Sequence, residues 1–124
     1  MVSNAMRAAR KAVESRYTGL CEVVERQQVR DDRTKITSFK DVTVLSSCPC
    51  RLSYSSKKAA NQTNTAASID QTITLFTAPE LTIKPGSKVI VTQNGVTAEY
   101  KSSGVPAVYE THQEIMLALF DRWA

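Results

Sequence analysis

The chain has 124 residues and a mass of 13.7 kDa, enough for one ordinary domain and too little for a second sizeable core. Hydrophobic residues make up 42% and charged residues 23%, which argues against both intrinsic disorder and a membrane-embedded chain. The formal charge of +4 is unevenly placed, with 12 basic and 6 acidic residues in 1–62 against 4 and 6 in 63–124.

No apolar run approaches the length of a membrane-spanning helix, and the opening MVSNAMRAARKAVESRY lacks the apolar stretch of a secretory signal. The expectation is a protein made in the cytoplasm and kept off membranes. Three cysteines, Cys21, Cys48 and Cys50, are an odd number for a disulfide framework and suit a reducing compartment. A single CxC without a second Cys or His pair does not supply four zinc ligands, so the thiols are expected as small buried apolar groups. The basic residues are scattered, without aromatic residues interleaved between them as stacking platforms. A solvated surface or an acidic protein partner fits that pattern better than sequence-specific DNA binding.

Residues 3–15 are mostly good helix formers, with Ser3 or Asn4 available as N-cap and Ala5, Ala9, Ala12 and Val13 as an apolar stripe. So small a stripe buries little area, and the helix needs something to dock on. Either another subunit or the domain's own sheet would serve. Arg7, Arg10, Lys11 and Arg16 on this helix suit an acidic neighbour and are candidate interface residues. The chain thus divides into an N-terminal helix or arm over 1–16 and a β domain over 17–124.

Residues 20–29 and 36–45 carry strand chemistry and flank a polar, Asp-containing turn, which predicts an antiparallel hairpin. Residues 50–54 form a further strand introduced by Pro49. Residues 55–68, SSKKAANQTNTAAS, contain no Val, Ile, Leu or aromatic side chain and read as a long polar loop, either functional or simply solvated. Residues 69–77 alternate as a strand, with Ile73, Leu75 and Thr77 on one face. Residues 88–92 and 96–101 flank Gln93-Asn94-Gly95, a hairpin signal because Asn and Gly tolerate positive φ. The end of the chain can be read with either period. A strand is favoured, because a closing strand removes an exposed edge. The predicted fold is mainly β: a small antiparallel β-barrel of six to seven strands with an N-terminal α-helix and a long polar inter-strand loop.

Catalytic chemistry finds little footing. His112 is the one histidine, no nucleophile-elbow glycine pattern surrounds a Ser or Cys, and the four glycines stand singly rather than as a phosphate-cradling loop. The expectation is a protein that is not an enzyme, with no catalytic residues, no metal and no cofactor. His112 is expected to make a polar contact at a strand end.

The order of features resembles a known family. AMRAARKA, YTGLCEV, PCRLSY before a polar loop, LFTAPELTIKPGSKVIVTQNGVTAEY and PAVYETHQEIMLAL are similar in succession to the head-closure (head-completion, or stopper) proteins of tailed bacteriophages and related prophages. The resemblance spans nearly the whole chain and is most specific in IKPGSKVIVTQNG and VYETHQEI. It implies a structural virion protein at the head–tail interface, made in the bacterial cytoplasm. Its copies would form a ring of six or twelve, joining the adaptor beneath the portal to a tail terminator or tail tube. It also implies that loop 55–68, centred on Lys57, Lys58, Asn61, Gln62 and Asn64, points into the channel and holds packaged double-stranded DNA without reading its sequence. Two other readings stand beside it: a tail-completion or tail-terminator connector, and an OB-like barrel binding single-stranded nucleic acid.

Overall fold

The computed structural model describes residues 3–58 and 69–123, with the side chains of 56–58 and 69–70 excepted. Helix α1 (Asn4–Glu14) starts where the Ser3 side chain accepts a hydrogen bond from the Met6 N–H at 3.1 Å, satisfying one of the donors that a helix start leaves open. It ends at Ser15, whose hydroxyl donates to the Ala12 carbonyl at 2.6 Å. None of its residues is fully buried, as its alanine stripe predicts.

Seven antiparallel strands follow: β1 (Gly19–Arg30), β2 (Thr37–Lys58), β3 (Ile69–Thr77), β4 (Lys88–Gln93), β5 (Val96–Ser102), β6 (Ala107–Val108) and β7 (Gln113–Leu119). They form one sheet in the order β3-β2-β1-β4-β5-β7-β6, and β3 also pairs with β7, so the sheet rings round on itself. The predicted helix, the strand number and the strand at the end of the chain are all present. Asn94 and Gly95 adopt positive φ of 54° and 77° at the β4–β5 turn, as that hairpin requires.

Inside the ring residues of β1–β5 and β7 meet, while both residues of β6 are exposed. Val23, Cys50, Leu75, Val89 and Ile115 are wholly buried, with Cys21, Val91, Ile83, Tyr100 and Leu117 around them. Two buried polar side chains knit the strands and their connections. The Thr77 hydroxyl donates to the Pro49 carbonyl at 3.0 Å. The Gln113 amide, 1% exposed, donates to the carbonyls of Ala78 and Leu81, both at 2.7 Å, and so ties the β3–β4 connection to the start of β7. Gly19 enters the sheet where there is no room for a side chain: a Cβ there would lie 3.1 Å from the Thr92 carbonyl oxygen and 3.3 Å from that of Cys50.

One element differs from the expectation. The segments read as two strands, 36–45 and 50–54, are a single strand of 22 residues. Its pairing with β1 shifts register between Cys21 and Val24, and Ser47 takes a positive φ of 52°, so the strand is irregular without ending. Pro49 lies just before Cys50, the residue at which β3 joins as a neighbour, where a missing N–H costs least. Up to Cys50 the strand pairs with β1; from Cys50 to Lys58 it pairs with β3.

The strand therefore outruns the ring at both of its ends. β4 covers β1 only from Leu20 to Val24, so residues 25–30 and 37–42 continue as a two-stranded arm. β7 covers β3 only from Ile73 to Thr77, so residues 55–58 and 69–72 form a second arm. Where β1 stops beside β2, the Gln93 side chain takes its place: the Leu52 N–H donates to Gln93 Oε1 at 2.8 Å and Gln93 Nε2 donates to the Leu52 carbonyl at 3.4 Å. An amide side chain thus replaces a missing strand neighbour.

Candidate functional site

The predicted site residues fall in two places. Lys57 and Lys58 lie on β2 rather than in a loop, their backbones in register with Asp70 and Ile69. The polar run continues the strand through backbone pairing alone, which needs no apolar alternation. Asn61, Gln62 and Asn64 lie outside the described residues.

The four basic residues of the N-terminal segment divide by partner. Arg10 is clasped intramolecularly: its guanidinium engages both carboxylate oxygens of Glu80 on the β3–β4 connection, one at 2.7 Å, and its Nε donates to Glu14 at 2.8 Å. These bonds hold the Glu80 carboxyl below the usual carboxylate range and push the Arg10 guanidinium up. Arg10 therefore anchors α1 to its own domain. Arg7 and Lys11 are exposed, and Arg16 is exposed at the C-terminal end of the helix.

Between α1 and the sheet lies a cleft of about 290 Å³, lined by Ala12, Val13, Arg16, Tyr17, Arg51, Phe76 and His112. The Arg51 guanidinium stands 5.9 Å from the Phe76 ring centre. The Tyr17 hydroxyl is buried without a hydrogen-bond partner, and burial, followed by the nearby Glu14 charge, pushes its pKa up. His112 sits just before β7, held at both ring nitrogens: Nδ1 lies 2.9 Å from the Thr111 hydroxyl and Nε2 3.0 Å from Glu114. Tyr109 stacks on it at 5.0 Å. This is the expected polar contact at a strand end, and the ring is locked into the β6–β7 turn, where the Tyr109 N–H donates to the His112 carbonyl at 2.8 Å. Of the cleft residues, Arg16 was legible as an interface candidate. Tyr17, Arg51 and Phe76 were not, because only the β2–β3 register brings the last two together under the helix.

A solved structure shares this fold. It is that of the phage-like element PBSX protein xkdH from Bacillus subtilis, with a TM-score of 0.51 over 81% of this chain and 91% of that one, at 11% sequence identity. Neither a protein-family model nor a curated protein matches the sequence.

The remaining chemistry-bearing groups are accounted for structurally. Cys21 and Cys50 are buried and Cys48 half-buried, all three as free thiols. The neighbouring Cys50 thiol, followed by burial, raises the pKa of Cys21, and Cys21 in turn lowers that of Cys50. Among the described residues no cluster of three or more His, Cys, Asp or Glu is arranged to hold a metal ion, and no helix is long and apolar enough to cross a membrane. The aromatic side chains open to solvent are Phe39, Tyr54 and Tyr109. Each is engaged on its own domain: Phe39 by the Arg26 guanidinium at 4.6 Å, Tyr54 by the Tyr100 hydroxyl at 3.2 Å and Tyr109 by His112. A second, more open cleft of about 660 Å³ runs beside the first arm, between residues 25–28, the turn at 84–87 and Trp123.

Proposed function

We propose that this chain is a structural, non-enzymatic protein of a tailed-phage particle or phage-derived element. Within that class the reading is a head-closure subunit. Copies assemble as a ring of six or twelve beneath the portal and its adaptor, joining the DNA-filled head to the tail. The observation that carries the reading is the shared fold with a protein of a phage-like element, along the greater part of both chains. It agrees with the order of sequence features that resembles the head-closure family.

The architecture suits such a role. A ringed sheet with a continuous apolar interior is rigid, and two strand arms project beyond it. The second arm carries the segment expected to enter the channel. Lys57 and Lys58 at its end attract phosphate without reading sequence, as a device that meets any genome end requires.

Imaging of particle necks with a labelled copy of this chain tests the proposal. Label at the head–tail junction, together with filled heads that lose DNA when the gene is removed, is the expected result. Label elsewhere in the particle refutes it, and tails of uncontrolled length after gene removal favour a tail-terminator role instead. Deleting residues 57–67 is expected to leave the ring able to assemble but unable to retain DNA; retention by the deleted ring refutes the gate.

A further inference from the structure

The cleft under α1 is charged in a way the domain itself does not answer. Arg10 is committed to Glu14 and Glu80, and Glu114 is committed to His112. Arg16 and Arg51 line the same cleft, and among the described residues neither has a carboxylate within 4.0 Å. Between them the walls are apolar, formed by Val13, Ala12 and the Phe76 ring, and the Tyr17 hydroxyl is buried there with nothing to bond.

We infer that this cleft is a docking site for an acidic segment of a partner protein, seating one large apolar side chain against Phe76 and Val13 with flanking carboxylates on Arg16 and Arg51. Charge complementarity decides the occupant. Two separate guanidiniums flanking an apolar floor match a carboxylate-flanked side chain, whereas a nucleic acid wants a broad basic surface with bases on open aromatic faces. The volume, about 290 Å³, is at the bottom of the small-molecule range and fits an anchor side chain with its backbone. The position fits too, because α1 is held to the domain chiefly by the exposed Arg10–Glu80 clasp and gives way at low cost as an anchor enters. The inference stands on the cleft alone and holds whether or not the chain builds a neck ring.

The test is selection of randomised twelve-residue peptides against the intact 124-residue chain at low salt, followed by mapping of the selected peptide by amide and arginine-side-chain NMR shifts. Selected peptides are expected to place Asp or Glu within a few residues of a large apolar residue. Their shifts should fall on Arg16, Tyr17, Arg51 and Phe76, and R51E should weaken binding at least about tenfold, the 1.4 kcal/mol expected for one charge-assisted contact. R16E, at an exposed helix end, gives the same loss without touching the sheet. Failure to enrich any peptide, selection of peptides without carboxylates, unchanged binding to R16E, or stronger shifts at the cleft from a single-stranded oligothymidine each overturn the inference.

Discussion

Replacing Gln113 by Leu probes how the ring holds the β3–β4 connection. The side chain is 1% exposed and donates to two carbonyls, and Leu nearly matches its volume without any donor. The Ala78 carbonyl keeps the Leu81 N–H at 3.3 Å, so its loss is one hydrogen bond, about 1 kcal/mol. The Leu81 carbonyl keeps no partner and costs about 1–3 kcal/mol. Burial of the more apolar Leu offsets roughly 1 kcal/mol. The net expectation is about 2 kcal/mol of destabilisation, or a fall in Tm of about 8 °C for a domain of this size. Urea titration followed by far-UV circular dichroism, with hydrogen exchange at Leu81 and Ile83, measures both the total and its place. A change below about 0.5 kcal/mol, or exchange unchanged in that connection, refutes the reasoning. Q113E sharpens it, because a carboxylate facing two carbonyls has its pKa raised by folding. The folded state then binds the extra proton, so below the unfolded value of about 4.3 only the loss of one of the two donated bonds is felt, and the destabilisation grows as pH rises through that value.

Arg10→Ala or Glu80→Gln releases the clasp on α1. With these side chains 31% and 60% exposed, solvent screening keeps the cost below about 1 kcal/mol, and it shrinks further at high salt. Because folding lowers the Glu80 pKa, the clasp's contribution is full above the unfolded carboxylate value and is lost as pH falls through the folded one; helical ellipticity followed in acid checks this. Gly19→Ala forces a methyl into a space bounded by two backbone carbonyls, with an expected loss of about 1–3 kcal/mol read by thermal unfolding. Tyr100, 4% exposed, has its pKa pushed up to about 12, first by burial and then by Tyr54. Ultraviolet titration should therefore show one phenol ionising near pH 12, with stability falling as pH rises above the unfolded value of about 10, and Y100F should remove that late step.

Local chemistry made much of this fold legible. Alternation in 73–77, the Asn94-Gly95 turn and the Ser3 cap are signals carried within a few residues, and each appears in the structure as the pattern requires. The long β2 was not legible as one strand, because Ser46, Ser47 and Pro49 look like a break and the irregularity that carries the strand through them is set by its partners on both sides. Lys57 and Lys58 lie in a run without apolar side chains, so their backbone pairing with Asp70 and Ile69 leaves no trace in hydropathy. The candidate site was half visible. Arg16 was marked by its charge, while the Arg10–Glu80 clasp joins residues 70 apart and no local pattern announces it.

β2 also sets how the domain carries force. Because both projecting arms are built on one unbroken covalent strand, tension applied to one tip runs along the backbone to the other without crossing the interior packing. Between the tips the strand is flanked by β1 and then β3, whose rows of hydrogen bonds hold it straight without bearing that load. The ringed interior then acts as a clamp around a tie-rod, its grip interrupted only at the irregular stretch near Ser47.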